Sequence, residues 1–200
     1  MKLTLELGTR KAFLYAPEDA EDSAERLTFW WGLTTASINL TRLILEGKDL
    51  VGVKALELGC GLGLAGMGAL MKGAEVTFSD FMPQALELAS RNIALNDLNR
   101  SRAHFLELDW GNPPDLPAFD LILGAEIIYD YFFHSSLIQL LEKALATGGS
   151  IMLADRKRLV VERFIGRLLS RGFSCQSNTS AFSHHGFPDQ EITIFDLSRS

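Results

Sequence analysis

The sequence has few of the features that mark secreted or membrane-spanning chains. Its two cysteines, Cys60 and Cys175, are too few in 200 residues for a disulfide framework, so we expect free thiols in a reducing compartment. No apolar run is long enough to span a bilayer, and the opening "MKLTLELGTR" becomes charged too early for a signal peptide. These absences predict a cytoplasmic protein with no membrane partner.

Positive charge is also scarce. The 19 lysines and arginines are outnumbered by 25 aspartates and glutamates, which gives a formal net charge of -6. Such a chain has no general basic field for a phosphate backbone, so nucleic acid is not an expected partner. The histidines, cysteines and carboxylates do not show metal-ligand spacing, so no metal is expected either. A cationic partner suits this chain better.

The length and composition allow one substantial hydrophobic core. With 200 residues, 47% of them hydrophobic, we expect a single domain over residues 1–200, present as a monomer or weak dimer. From residue 54 onward, short apolar runs alternate with longer amphipathic stretches, which is typical of a parallel sheet with crossover helices. We therefore predict an α/β, Rossmann-like core over residues 51–200, preceded by a hairpin and helix extension over residues 1–50.

The periodicity of the apolar residues also predicts the individual elements. Strands are expected at about 54–58, 75–79, 103–108, 120–125 and 150–154, and helices at about 64–72, 83–95, 133–146 and 159–171, with one earlier helix from Thr34. Residues 2–15 predict a small hairpin, and residues 16–27 a solvated connector or weak helix. The tail predicts a second hairpin, with a loop at 186–188 and a last strand at 191–197.

The segment "ALELGCGLGLAG", residues 55–66, is the most informative stretch. Glycines directly after a strand allow the backbone to approach a ligand closely at the start of a helix. Counted from Gly61, its second glycine, the segment fits the G-x-G-x-x-G fingerprint of a dinucleotide fold. Counted from Glu57, it fits the E-x-G-x-G-x-G cofactor loop of S-adenosylmethionine enzymes.

Three features favour the second interpretation. A carboxylate at Glu57 would repel a pyrophosphate but could hold the cationic amino-acid end of S-adenosylmethionine, directly or through water. Asp109, at the end of the third strand, is a natural acceptor for an adenine amino group, and Trp110 beside it offers an aromatic surface. A dehydrogenase normally needs a second domain for its substrate, and this chain has little room for one. We therefore predict S-adenosylmethionine as cofactor and S-adenosylhomocysteine as product.

Asp80, about 20 residues after the glycines, could bind ribose hydroxyls in either class of enzyme. Taken singly, Glu57 could be a strand-end charge, Asp80 a helix cap and Asp109 a turn residue. Together they fall at successive strand ends of one sheet edge, where open α/β sheets bind ligands. The cofactor-binding residues predicted in this part of the chain are Glu57, Gly59, Gly61, Gly63, Asp80, Phe81, Asp109, Trp110 and Ala125.

The stretch "GAEIIYDYFF" follows the fourth strand, where a methyltransferase presents its acceptor. Glu126 and Tyr129 are therefore the candidate catalytic residues. The acidic-x-x-aromatic pattern that they form, with "ELGCGLG", the aspartate at 80, "DWG" and "ADRKRLVVERF", resembles the seven-strand protein-lysine methyltransferases, methyltransferase family 16. The resemblance runs from about Thr28 to the C-terminus.

The resemblance implies a seven-stranded, mostly parallel sheet with an antiparallel last strand and helices on both faces. It also implies a protein substrate that presents a lysine, and a tryptophan near the cofactor, for which Trp31 in "LTFWWGL" is our choice. On this hypothesis Glu126 attracts and orients the amine, and Tyr129 shapes the channel.

Two other functions remain open from the sequence. One is N-methylation of a small molecule, nicotinamide-like or another nitrogen compound, and the other is a cofactor-fold module that binds partners without catalysis. The basic cluster "DRKR", Asp155 to Arg158, is interpreted mainly as a solvated helix start and alternatively as a contact for an acidic patch on a protein substrate.

Overall fold

The computed structural model describes residues 2–15, 33–182 and 190–199. The connector predicted at residues 16–27, the loop at 186–188 and Trp31 lie outside the described residues. Within the described ranges, no helix combines the length and the apolar character needed to cross a bilayer.

A seven-stranded sheet forms the centre of the structure. Its strands are β3 (Lys54–Leu58), β4 (Glu75–Asp80), β5 (Ala103–Glu107), β6 (Phe119–Ala125), β7 (Leu145–Arg156), β8 (Phe173–Phe182) and β9 (Gln190–Arg199). They lie in the order β5-β4-β3-β6-β7-β9-β8. All neighbouring pairs from β5 to β7 are parallel, whereas β9 runs antiparallel to both β7 and β8. The predicted mostly parallel sheet with an antiparallel last strand is confirmed.

Helices cover both faces of this sheet. They are α1 (Thr35–Glu46), α2 (Leu64–Met71), α3 (Pro83–Leu95), α4 (His134–Ala144) and α5 (Leu159–Leu169). Alternate strand residues point to opposite faces, so Leu121 and Leu123 join the cluster that contains α1 to α3, whereas Ile122 joins the cluster that contains α4 and α5. Burial on both sides explains why the strands are almost continuously hydrophobic.

The predicted strand at residues 150–154 is longer in the structure. β7 already begins at Leu145 because α4 ends at Ala144 and Leu145 adopts an extended backbone. Its pairing with β6 jumps from Phe119–Leu145 to Leu121–Ser150. The additional residues form an irregularity that contains Gly148 at φ +76°, a geometry that periodicity does not reveal.

The N-terminal hairpin consists of β1 (Lys2–Leu7) and β2 (Arg10–Tyr15), as predicted. Asn92 of α3 and Asn96, which directly follows the end of α3, hold it in place. The side chain of Asn96 accepts from Phe13 N (2.8 Å) and donates to Phe13 O (2.6 Å), and the side chain of Asn92 accepts from Tyr15 N (2.6 Å). One helical turn and two strand residues both span about 6 Å. Asn92 and Asn96, which are four positions apart, therefore meet Tyr15 and Phe13, which are two positions apart on β2.

Asn92 also donates to the carbonyl of Leu62 at 3.0 Å. Replacing Asn92 with alanine is expected to lower the free energy of unfolding by about 2 kcal/mol or more. The reason is that the backbone N–H of Tyr15 and the carbonyl of Leu62 both lose their buried partner. Urea denaturation followed by circular dichroism measures this. The matched control, Asn39→Ala, removes an exposed bond to Ser180 and should cost less than about 0.5 kcal/mol. Equal effects of the two substitutions would contradict the role of Asn92.

Candidate functional site

The carboxyl ends of the parallel strands β3 to β7 meet at one edge of the sheet, because parallel strands all end on the same side. Backbone hydrogen bonds connect the segments that leave this edge: Cys60 N donates to Ser79 O (2.9 Å), Leu108 N to Asp80 O (2.9 Å) and Glu126 N to Ala154 O (2.8 Å). Apart from Trp31, every residue predicted for the site lies on these segments. The edge is therefore the candidate site.

The loop between β3 and α2 requires glycine at alternate positions. Gly59, Gly61 and Gly63 have φ angles of +58°, +48° and +77°, which disfavour side chains. Space is also limiting, because a Cβ atom on Gly59 would lie 3.0 Å from Ile127 Cγ2, and one on Gly63 would lie 2.9 Å from Ala89 Cβ. The loop therefore presents its backbone to the site.

Glu57 lies beneath this loop and is only 4% exposed. Burial raises the pKa of its carboxyl to about 8; the backbone N–H groups of Gly66 and Ala65, in the first turn of α2, act against this rise, and the charge of Asp80 adds to it. Within the described residues, its Oε2 accepts no hydrogen bond of normal geometry. The carboxyl is thus mostly neutral near pH 7, and its ionised form is under-compensated beneath the loop.

Asp80 ends β4 and is 6% exposed. Its Oδ2 accepts from Gly61 N and its Oδ1 from Met82 N, both at 3.0 Å, so it joins the glycine loop to the turn before α3. Burial raises the pKa of this carboxyl despite these hydrogen bonds. Asp80 therefore has a structural role in the loop, and each oxygen keeps a second lone pair for a ligand.

The outer residues of the predicted cofactor set are more accessible. Phe81 is 63% exposed beside Asp80. Asp109 is exposed, and its Oδ1 accepts a hydrogen bond from Gly111 N at 2.8 Å. This is the contact of a turn residue, the structural alternative that the sequence left open for Asp109. Trp110 packs edge-on against Phe133, with ring centroids 5.9 Å apart, and lies next to Gly59. Of these three side chains, Trp110 is the one that lies beside the glycine loop.

Glu126 directly follows Ala125 at the end of β6 and has an unusual backbone. Its φ angle is +54°, which costs a non-glycine residue on the order of 1 kcal/mol. Its Oε2 accepts from Arg156 Nη2 at 2.7 Å, and its side chain is 13% exposed. Because such strain concentrates at functional positions, the geometry singles out Glu126 in the segment after β6.

Sequence reasoning missed the contribution of β7 to the site. Asp155 is fully buried, which is inconsistent with a solvated helix start. It pairs with Arg158 and accepts from Arg156 N (2.7 Å) and Ile128 N (3.4 Å), so it supports the segment that carries Glu126. Burial raises its pKa to about 6 even though Arg158 opposes the shift. The apolar strand that runs directly into "DRKR" was the signal in the sequence from which the burial of Asp155 could have been predicted.

Tyr129 lies three residues after Glu126 and is 55% exposed, with its ring 6.1 Å from that of Phe133. Partial desolvation, with the negative charges of Asp130 and Asp80, raises the pKa of its phenol above the ordinary value. The phenol is therefore neutral at physiological pH.

Gly66, in the first turn of α2, should not tolerate a side chain. A Cβ atom there would lie 2.3 Å from Phe78 Cε1 and 2.5 Å from Glu57 Oε2, so Gly66→Ala is expected to destabilise the fold by about 1–3 kcal/mol. The control is Gly166→Ala in α5, where an added Cβ meets nothing within 4 Å. This substitution should stabilise the protein by about 0.5–1 kcal/mol, because alanine favours a helix more than glycine does. Opposite signs in urea denaturation are expected; the same sign for both would contradict the packing argument.

The comparisons with known proteins identify the family of this chain. The sequence profile of the family described as lysine methyltransferase matches residues 14–171. "Protein N-lysine methyltransferase METTL21A" of Danio rerio is 38% identical over 148 residues, 70% of this chain and 67% of that protein. "EEF1A lysine methyltransferase 3" of Mus musculus is 36% identical over 132 residues, 64% of this chain and 56% of that protein.

Other relatives share a smaller part of their length. "Histidine protein methyltransferase 1 homolog" of Dictyostelium discoideum is 33% identical over 62% of this chain and 42% of that protein. The chain thus spans between two fifths and two thirds of these three curated relatives.

Solved structures show the same fold. The ribosomal protein L11 methylase of Lactobacillus delbrueckii subsp. bulgaricus superposes with a TM-score of 0.65, at 19% identity over 84% of this chain and 80% of that one. The glycopeptide N-methyltransferase MtfA in complex with S-adenosyl-L-methionine also superposes at 0.65, with 14% identity over 83% and 94% of the two chains. Because the profile covers about four fifths of the sequence, the chain belongs to the lysine methyltransferase family.

Proposed function

We propose that this protein transfers the methyl group of S-adenosylmethionine to the side-chain nitrogen of a lysine in a protein substrate. The observation that carries the proposal is the placement of Glu126 and Tyr129, an acid and an aromatic, at the same sheet edge as the buried Glu57–Asp80 pair. Relatives named as N-lysine methyltransferases in Danio rerio and Mus musculus support it.

The residues at this edge fit S-adenosylmethionine. Glu57 and Asp80 are buried neighbours whose ionised forms repel each other, and among the described residues neither has a cation within 4 Å. A ligand with positive charge relieves that repulsion, whereas a diphosphate would increase it. In this proposal Glu57 acts through its charge from beneath the loop, Asp80 and Asp109 accept hydrogen bonds, and Phe81, Trp110 and Trp31 flank the ligand.

The reaction requires a neutral lysine amine. S-adenosylmethionine supplies an electrophilic methyl group on a positively charged sulfur. At pH 7 an ordinary lysine ammonium, with a pKa of about 10.4, must lose its proton at a cost of roughly 4–5 kcal/mol. Two positive charges about 4 Å apart repel by about 4 kcal/mol at an effective dielectric constant near 20. An ammonium brought into this site is therefore close to deprotonation without a strong base.

The chain's residues then have two tasks, to attract the lysine and to orient it. Glu126 has one oxygen bound to Arg156, and its other oxygen makes no hydrogen bond within the described residues. That oxygen can receive an N–H of the incoming amine, and it can pass the released proton to water. The neutral phenol of Tyr129 can accept a second hydrogen bond, and its ring lines the approach.

The direct test uses the purified protein with isotope-labelled S-adenosylmethionine and cell extract. We expect a labelled protein band on a gel, and mass spectrometry of that band should place the methyl group on lysine. Label found only in small molecules would support the small-molecule alternative. An absence of binding heat with S-adenosylmethionine in calorimetry would support the non-catalytic module. Methyl groups on histidine or arginine alone would contradict the lysine assignment.

In the same assay, Glu126→Gln is expected to lower turnover by about 100-fold or more while S-adenosylmethionine affinity changes less than about twofold, because the amide keeps the shape but not the charge. Glu87→Gln, on an exposed site of α3, is the matched control and should leave both quantities unchanged. Equal losses of turnover and affinity would instead place Glu126 in the cofactor site.

Cofactor affinity should depend on pH through Glu57. With a pKa of about 8 in the free protein, the carboxyl is mostly protonated at pH 6–7. Binding of a cation beside it favours the ionised form, so affinity should rise from pH 6 towards 8 with release of a proton, and then level off. Calorimetry in buffers of different ionisation enthalpy measures this release.

The control for the pH experiment is Glu57→Gln. The amino group of S-adenosylmethionine titrates near pH 8 itself, and the variant reports that contribution alone. We expect the variant to bind more weakly and without the rise between pH 6 and 7.5. Identical pH profiles for the wild type and the variant would rule out the proposed role of Glu57.

A further inference from the structure

Beside Glu126 lies a surface of which only Tyr129 takes part in the proposed chemistry. We call it the aromatic–basic face, and it consists of Tyr129, Tyr131, Phe132, Lys157, Arg163 and Arg167. The three aromatic side chains are 55%, 49% and 81% exposed. Lys157 and Arg163 are exposed as well. A contiguous exposed patch of this kind is characteristic of a binding surface.

Contacts join α5 to the segment that follows Glu126. The guanidinium of Arg163 lies over the ring of Tyr131, 5.6 Å from its centroid, and Arg167 Nη2 donates to Ser135 Oγ at 3.0 Å. The start of α5 is thereby packed against the segment that follows Glu126. Lys157 lies between Arg156, which binds Glu126, and Arg158, which binds Asp155. The face thus continues directly into the proposed acceptor site.

The position of Phe132 is held by its neighbours. Asp130 Oδ1 accepts from Phe132 N at 2.9 Å, and the ring of Phe133 packs edge-on at 5.1 Å. The turn therefore presents the ring of Phe132 to solvent in a defined place. Burying such a ring is favourable in proportion to its apolar area. An apolar side chain of a partner that packs on Phe132 would provide this burial.

The charge of the face is unlike that of the whole protein. The chain carries a net charge of -6, yet in the described residues no carboxylate lies within 4 Å of Lys157, Arg163 or Arg167. Arg156 and Arg158 are by contrast paired with Glu126 and Asp155. The same segments also carry two exposed carboxylates, Asp130 and Glu162. Three cations against two carboxylates leave a small local excess of positive charge on an acidic protein, which favours negatively charged partners.

We propose that the aromatic–basic face docks the substrate segment around the target lysine, and that this segment carries acidic side chains near the lysine and an apolar side chain that covers Phe132. The proposal rests on the proposed function and names the chemical class of its substrate. Glu126 attracts the lysine itself, while Lys157, Arg163 and Arg167 attract its acidic neighbours and disfavour lysines in basic surroundings.

The test measures binding, so that it does not depend on catalysis. Fluorescently labelled peptides of about 15 residues, each with one central lysine and one leucine, carry glutamate, glutamine or arginine at the flanking positions. Their binding to the full chain with S-adenosylhomocysteine is followed by anisotropy. We expect the glutamate-flanked peptide to bind about tenfold more tightly than the glutamine-flanked one, and this preference to shrink as salt is raised.

Two triple variants with the same change in net charge separate a local effect from a global one. Lys157→Glu/Arg163→Glu/Arg167→Glu should reverse the order of the peptides. Lys48→Glu/Arg100→Glu/Lys143→Glu changes three exposed cations before β3, β5 and β7, at the opposite edge of the sheet, and should preserve that order. Both proteins are first checked for folding by circular dichroism.

The apolar part of the proposal has its own pair of variants. Phe132→Ala should weaken the binding of the glutamate-flanked peptide by about threefold to tenfold. The control is Val51→Ala, before β3, where the side chain is 75% exposed; it should not change the affinity for this peptide. Equal affinities for glutamate- and arginine-flanked peptides, or equal losses in both triple variants, would overturn the docking proposal. Failure of the lysine function is distinct, since it would appear as selective peptide binding without methyl transfer.

Discussion

Burial of negative charge at the carboxyl edge of the parallel sheet is the constraint on which the other features depend. Glu57, Asp80 and Asp155 are all less than 10% exposed, and a buried carboxylate is unfavourable unless its charge is compensated. Each is compensated differently: Glu57 by the first turn of α2, Asp80 by two backbone N–H groups, and Asp155 by Arg158. Burial raises the pKa of all three carboxyls despite this compensation. Of the three, Asp155 has Arg158 as a cationic partner, whereas at Glu57 and Asp80 the proposed cationic ligand would supply the positive charge.

The same constraint extends to the acceptor side of the site. Asp155 pairs with Arg158 and accepts two backbone hydrogen bonds, from Ile128 N in the segment after Glu126 and from Arg156 N. Glu126 keeps a left-handed backbone conformation because these neighbours fix it in place. Arg156 then binds one oxygen of Glu126. A buried ion pair thus supports an accessible one, and the accessible one meets the substrate in our proposal.

Much of the fold could be predicted because it depends on local patterns. Short apolar runs separated by amphipathic stretches predicted the positions of the strands and helices to within about two residues, with β7 as the exception. Its early start depends on an irregular pairing with β6 that only the neighbouring strand imposes. In the site, the glycine loop was predictable because its spacing is tied to a tight strand-to-helix turn.

The sequence by itself determined the α/β architecture, the glycine loop and the candidate residues at successive strand ends, since periodicity and turn chemistry are local properties of the chain. Only the tertiary structure decided that Asp155 is buried, that Arg156 binds Glu126 and that Glu126 has a positive φ angle. Residues 126 and 156 are 30 positions apart, and their contact exists because β6 and β7 are parallel neighbours. Burial, charge pairing and strain depend on such neighbours, which no single segment of sequence specifies.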